Sequence, residues 1–341
     1  MPPTSHNLTE PGGPAETSAA PEQPPAPPSP PYRRADFRLL RDTGYGVAVR
    51  WTSRTLAADG ETRPFAAAVD AFDVRRFAET VAALGAGHVM WSVCGSDFRL
   101  CCPSAAVDAL LNGRTSRRDL VGELADALAA RNIALVLAMD FGASDDAWRA
   151  AAGGDGQDKG RVFTNLAEVV GELSRRCGRR CIAWWFEDVR RLIACNGDWG
   201  KLTDAGKAAF DGRLVGYNTG VQDFRATTNM QDYSATWVRR VNCHPVGTQT
   251  KLGLPWYAML DWHVDRHSVF SSIRELDQQR VMGLDWPAPS ARTLADFYGN
   301  FVRVGGTVSF NLLMDQAGRI VPDDLRAMRA LRDRLAAGGG R

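Results

Sequence analysis

One stretch constrains this chain more than any other. Cys181-Ile182-Ala183-Trp184-Trp185-Phe186 is an unbroken apolar run of strand length that meets Glu187-Asp188 and then the basic pair Arg190-Arg191. An apolar run without alternation reads as a strand buried on both faces, as in a parallel sheet. When such strands close into a barrel, the chemistry sits at their C-terminal ends. A carboxylate there can act as nucleophile or general base, whereas one inside the run would be costly to bury. The same two acids would also suit the first turn of a following helix, where negative charge complements the dipole.

The run belongs to a repeating rhythm. Gly44 to Trp51, His88 to Val93 and Ile133 to Asp140 read as three earlier strands, the third again ending on a carboxylate. Between them, Val74 to Leu84 has helical spacing and closes on Gly85, and Ser116 is placed to cap a helix over Arg117 to Arg131. Phe163 to Arg176 reads as the helix before the Glu187 strand. Beyond it, Leu214 to Asn218 reads as a fifth strand, Pro255 to Trp262 as a sixth and Thr307 to Leu313 as a late one. Helices are expected over Thr293 to Val304 and, with proline in its first turn, from Pro322 to about Leu335. Alternation of this kind means a parallel sheet with right-handed crossovers. Length and strand number favour a closed α/β (β/α)8 TIM-type barrel, one domain over residues 36 to 341. Residues 1 to 35, rich in Pro, Ala, Ser and Gly, are expected to form a disordered tail.

Composition narrows the function. The 341 residues are 45% hydrophobic with a net charge of +2 from 41 basic and 39 acidic side chains. A phosphate backbone demands a clear basic excess, so no nucleic-acid partner is expected. No apolar run reaches membrane-spanning length and the N-terminus has no secretory pattern, so a cytoplasmic protein is expected. The seven cysteines have no zinc-finger spacing and read as reduced, buried thiols. No Gly-x-Gly-x-x-Gly or phosphate-loop turn follows a strand, and no cofactor is expected. Asp261-x-His263-x-Asp265-x-His267 puts two His and two Asp at alternate positions. That spacing can hold a divalent cation, but it fits no zinc signature, and a polar loop at the barrel mouth with no metal is the expectation adopted.

Several segments together resemble the catalytic barrel of glycoside hydrolase family 29, the α-L-fucosidases, over about residues 44 to 335. Val47-Ala48-Val49-Arg50-Trp51-Thr52 is similar to that family's first strand, Phe-Ile-His-Trp-Gly. Phe72-Asp73 with Phe77-Ala78 resembles Phe-Asp-x-x-x-Trp-Ala, and Arg118 to Leu124 resembles Arg-Asp-Leu-Val-x-Glu-Leu. Trp91 to Phe98 lies where the family reads Thr-Ala-Lys-His-His-Asp-Gly-Phe, and Trp185-Phe186-Glu187 lies on its Trp-Phe-Asp, whose Asp is the nucleophile. Gly305-Gly306 to Ile320 is similar to a late Gly-Gly-x-x-x-Leu-Asn stretch. The resemblance implies a distant relative with altered sugar contacts. Arg50 replaces the first-strand His, Cys94 and Gly95 replace the paired His, and Glu187, or Asp188 if the register slips by one, stands at the nucleophile position. No counterpart of the family's C-terminal β-sandwich is expected after the barrel.

Retaining glycosidases need two carboxyl groups about 5 Å apart. Glu187 or Asp188 is the expected nucleophile and Asp261 the acid/base, with Asp140 the second choice; each also reads as a plain capping carboxylate. Arg50 offers a planar, always-charged fork that suits an anionic substrate group; it also reads as a pairing partner for Asp140 or Glu187. Asp97 and His263 are further candidate contacts, and Trp51, Trp185, Trp256 and Trp262 candidate aromatic walls. The expectation is a fucosidase-like hydrolase acting on a glycosidic bond in an anionic or nucleotide-linked small molecule. The alternatives are a barrel repurposed for a non-hydrolytic step in specialised metabolism and a catalytically dead sugar-binding module.

Overall fold

The computed structural model of the chain describes residues 32–141, 145–154, 160–193, 197–219, 226–245, 247, 253–263 and 288–338. Eight strands alternate with helices: β1 Gly46–Val49, β2 His88–Cys94, β3 Ala134–Asp140, β4 Cys181–Glu187, β5 Leu214–Tyr217, β6 Ser234–Val238, β7 Trp256–Leu260 and β8 Thr307–Leu312. They form one sheet in the order β5-β4-β3-β2-β1-β8-β7-β6, every pair parallel. The strands sit in sequence order around a nearly closed (β/α)8 barrel. The Pro-rich segment through residue 31 lies outside the described residues. Arg34 and Ala35 already bond the barrel, to the Gln231 carbonyl at 3.2 Å and the Asp232 carboxylate at 2.8 Å.

The seam between β5 and β6 has no ladder, and side chains close it. Asp232, fully buried, donates its N–H to the Val215 carbonyl and accepts the Val215 N–H on Oδ2, both at 2.8 Å. That exchange copies a strand pair with a carboxylate standing in for a carbonyl. Asn218 adds a bond to the Ala235 carbonyl at 3.0 Å. Tyr233 crosses β5 to donate its hydroxyl to the Trp184 carbonyl at 2.6 Å. Its ring passes over Gly216, where a Cβ would lie 2.3 Å from it. Glycine is required there by this close approach.

Alternate residues of each strand divide between two apolar layers, as the strand period dictates. Val47, Val49, Trp91, Trp184, Phe186 and Phe310 pack outward against the helices. Ala48, Met90, Ala138, Trp185, Trp237 and Met259 fill the barrel interior. His88 and Ser309 follow the inward parity near the strand starts, where His88 bonds Thr43 and Ser309 at 2.8 and 2.9 Å and Ser309 bonds Tyr257 at 2.7 Å.

The five expected helices form where the apolar spacing put them, with one corrected start, and helices over Phe65–Ala71, Ala105–Leu110, Asp146–Ala152 and Trp199–Lys207 were not expected. The helix expected from Ser116 runs Leu120–Ala129 and is capped by Asp119, whose carboxylate accepts the Gly122 N–H at 3.0 Å. Ser116 donates to the Arg118 carbonyl instead. Strand β6 was not expected, so the run from Pro255 is the seventh strand rather than the sixth. Among the described residues, no helix is long and apolar enough to cross a membrane.

Candidate active site

Strand parity assembles the site. Continuing the inward positions past the strand ends brings Arg50 above Ala48, Asp140 above Ala138, Glu187 above Trp185 and Asp261 above Met259. These four side chains therefore converge at the C-terminal mouth. Arg50 donates from Nη2 to Glu187 Oε2 in a charged pair, and each side chain is only 10% exposed. Burial opposes the charge on Arg50, but the carboxylates of Glu187, Asp261 and Asp140 outweigh it and raise its pKa. One guanidinium thus sits among three acids.

Asp140 and Glu187 are register partners at the ends of β3 and β4. Adjacent strands lie about 4.8 Å apart, so the two side chains leave the sheet side by side. A cavity of about 20 Å³, room for one water, lies between Arg50, Asp140, Glu187, Cys94, Gly95 and Thr52. Thr52 packs where a side chain at Gly95 would go, with Cβ-to-Cβ clearance of only 3.1 Å. The Cys94 thiol donates to the Asp140 carbonyl at 3.2 Å, and burial pushes its pKa well up, so it is neutral.

Asp188 takes a different course. Its φ of 48° is left-handed, a conformation that is strained for most side chains and tolerated by Asp. The side chain is 35% exposed and faces Arg190 at 3.5 Å. Strand β4 ends on Glu187. Phe98, after β2, is a second left-handed residue at φ 52°, bulky and buried, held by stacking on Trp148 at 3.7 Å. Such outliers cluster where a fold is over-determined around a functional site.

No protein-family model matches the chain, and no curated protein matches it in sequence. Solved structures do match. A family 29 α-L-fucosidase from Bacteroides thetaiotaomicron superposes with a TM-score of 0.61 at 14% identity, over 91% of this chain and 75% of that one. The α-L-fucosidase isoenzyme 1 from Paenibacillus thiaminolyticus gives 0.59 at 14% identity, over 89% and 76%. An α-L-fucosidase from Lactobacillus casei, in complex with α-L-fucose product, gives 0.59 at 13% identity, over 89% and 99%. This chain has the α-L-fucosidase barrel fold. At that identity the likeness establishes the fold alone.

Within this barrel the other expected residues fall in three places. Asp261 is buried at the end of β7, receives the His263 N–H at 3.2 Å and bonds the Val238 carbonyl through its own N–H at 2.8 Å. His263 is held at 3.0 Å by Asp324, a fully buried acid in the first turn of the helix Pro322–Gly338 that also accepts the Leu313 N–H at 2.7 Å. Burial disfavours the charged imidazole, but Asp324 and Asp261 prevail and raise its pKa. Asp265 and His267 lie outside the described residues; among the described ones, no group of three or more His, Cys, Asp or Glu is placed to hold a metal.

Asp97 ties loops together. It accepts from Ser53 at 2.5 Å and faces Arg99 at 3.5 Å, while Arg114 bonds its carbonyl at 2.5 Å and clasps Asp145 with both nitrogens at 3.1 Å. The expected aromatic walls are a correction. Trp51 and Trp256 have outward parity and are buried against the helices, Trp51 stacking on Trp91 at 5.8 Å. Trp185 points inward but is fully buried beneath Glu187, edge-on to Tyr257 at 5.3 Å.

Two residues at the mouth were missed. The Trp237 ring lies under the Arg50 guanidinium at 5.0 Å and under that of Arg239 at 4.5 Å. Both come from β6. Its Ser-Ala-Thr-Trp-Val reads as neither a continuous apolar run nor a clean alternation. The available signal was Trp237-Val238 followed by Arg239-Arg240, a hydrophobic run ending in charge at the place where the rhythm lacked a strand.

Proposed function

We propose that this chain is a glycoside hydrolase with a rebuilt sugar site, in which Glu187 is the nucleophile and the small-molecule substrate carries an anionic group. The observation that carries this reading is the placing of Glu187 and Asp140 as register partners at adjacent strand ends with Arg50 on Glu187. In the first step Glu187 attacks the anomeric carbon while Asp140, in its acid form, protonates the departing oxygen. In the second, Asp140 takes a proton from water as that water displaces the sugar from Glu187. Arg50 orients Glu187 and offsets the charge of three neighbouring acids. Asp261, near Arg50 but not among the residues around the cavity, is the other candidate for acid/base.

The positions of the histidines that grip fucose in the resembled family are held here by Arg50, Cys94 and Gly95, so fucose itself is a poor fit. The Arg50–Glu187 pair favours one second reading. A carboxylate engaged by a guanidinium is a weakened nucleophile and a weakened base alike, so with Glu187 tied to Arg50 it is Asp140 or Asp261 that would serve as the proton-transfer base of an elimination or rearrangement, the chemistry of specialised metabolism. Cytoplasmic action on a soluble metabolite suits both readings.

A panel of aryl glycosides, α-L-fucoside included, separates them when turned over by wild type, Glu187→Gln, Asp140→Asn and Asp261→Asn. Hydrolysis predicts aryl release that Glu187→Gln abolishes and that Asp140→Asn lowers about 10²-fold or more. A larger loss in Asp261→Asn than in Asp140→Asn would move the acid/base role to Asp261. Absence of release from every sugar would sink the hydrolase reading.

A further inference from the structure

We propose that Arg239 and Trp237, at the end of β6, form a subsite for a carboxylate on the substrate. The inference deepens the glycosidase reading and rests on it only for its turnover arm. Ala235 and Trp237 hold the inward positions of β6, in line with Tyr233 just before it. Arg239, two residues further on and one pleat higher, continues that face into the mouth. Its guanidinium lies 4.5 Å from the Trp237 ring, on which Arg50 also packs. The stack fixes the planar fork without using its N–H groups.

The two guanidiniums differ in what they meet. Arg50 is committed to Glu187. Arg239, half-buried, has neither an ion pair nor a hydrogen bond among the described residues. Beneath it the Trp237 indole N–H is buried and has no acceptor among the described residues. A buried donor left unmet is costly, and a ligand oxygen would relieve it. One side of the mouth therefore holds a fork, and beneath it a buried indole donor, neither met by an acceptor among the described residues.

The charge balance selects the anion. With Asp140 in its acid form, Glu187 and Asp261 are balanced by Arg50 and Arg239, so the mouth has no positive excess to hold a dianion. A dianionic phosphate would leave more charge unmet than a monoanion, and a planar carboxylate matches the guanidinium fork through two parallel hydrogen bonds. A sugar acid, with a carboxylate in place of a hydroxymethyl or methyl group, is the substrate class that fits.

The test is calorimetric binding of free glucuronate and galacturonate, with glucose, galactose and glucose 6-phosphate alongside, to wild type, Arg239→Met, Arg239→Lys and Trp237→Phe. Expected is binding of a hexuronate at least about 10-fold tighter than its neutral hexose. Arg239→Met should remove that preference, and Arg239→Lys, which keeps charge without the fork, should keep part of it. Trp237→Phe, which keeps the ring but not the N–H, should weaken the hexuronate too. Equal binding of acid and neutral sugar by wild type, a preference for the phosphate, or an Arg239→Met protein that binds hexuronate as wild type does would each overturn the subsite. Melting temperature and circular dichroism check that each variant folds. The same proteins are assayed on 4-nitrophenyl hexuronides. Hexuronate binding that depends on Arg239 without turnover would keep the subsite and reject the glycosidase reading; turnover of neutral glycosides alone would do the reverse.

Discussion

Arg50, at the end of the first strand, and Glu187, 137 residues later at the end of the fourth, form a buried ion pair across the barrel mouth. Arg50 has no acid in its own strand, and Glu187, although Arg190 and Arg191 follow closely in sequence, pairs across the barrel instead. The pair exists because two inward positions on strands that are not neighbours in the sheet reach the same height. It is also the point where stability and chemistry meet: the guanidinium that orients Glu187 makes two buried acids, Glu187 and Asp261, and the half-buried Asp140 tolerable.

Removing one partner of such a pair leaves an uncompensated charge, which costs more than the pair itself contributes. Arg50→Met should destabilise the protein by about 3 kcal/mol, and Arg50→Met with Glu187→Met should recover at least half of that. Urea unfolding of the two single variants and the double variant measures it. Additive losses would mean that the two side chains do not depend on one another.

Near the strand starts, burial pushes the pKa of His88 down to about 3. An unfolded histidine titrates near 6.5. Between those values the unfolded chain binds a proton that the native one does not, so stability falls as pH falls. The expected slope is about 1.4 kcal/mol per pH unit below pH 6.5, from this group alone. Unfolding at pH 7, 5.5 and 4.5 should show it in wild type and a shallower dependence in His88→Gln. An equal slope in both proteins would exclude His88 as its source.

His263 titrates in the opposite sense. Its raised pKa means that the native state favours the imidazolium held by Asp324. The stabilisation is complete below the ordinary histidine value and is lost as pH rises through the raised one. Proton NMR of the His263 ring should report a pKa above 6.5 in wild type and a clear drop in Asp324→Asn. An unchanged titration in the variant would rule out the coupling.

Arg213 has no carboxylate partner among the described residues and yet is fully buried. It donates to the carbonyls of Cys181, Gly206, Ala208, Ser174 and Gly178 at 2.5 to 3.0 Å, tying β4 to the helices Gly160–Cys177 and Trp199–Lys207. Lysine cannot reproduce five bonds in a plane. Arg213→Lys should cost more than about 3 kcal/mol, read as a lowered urea midpoint. A loss within 1 kcal/mol would show that water replaces the fork.

Most of the barrel was legible because parallel strands, covered on both faces, leave continuous apolar runs. Cys181 to Phe186 and Trp256 to Leu260 need no tertiary information to be read. Strand β6 hid because its residues beside the open seam are small or hydroxylated, and the polar Asn229-to-Asp232 stretch before it does the work of a missing ladder through Asp232. The strand-end acids Asp140, Glu187 and Asp261 were legible as charges that close apolar runs. The tryptophans were not: a Trp next to a strand end faces the mouth or the helices according to parity, and Trp51, one residue beyond Arg50, has the wrong one.

The sequence by itself determined the alternating elements, the parallel sheet and the set of charges available at the strand ends, because these depend on patterns within short windows. Only the tertiary structure decided which charges meet. Arg50 selects Glu187, Asp140 stands beside it, Asp188 turns out to Arg190, and Arg239 settles on Trp237. Those outcomes depend on inter-strand register and on the inward or outward parity of eight separate strands, and a shift of one residue in any strand would reverse that strand's part in them.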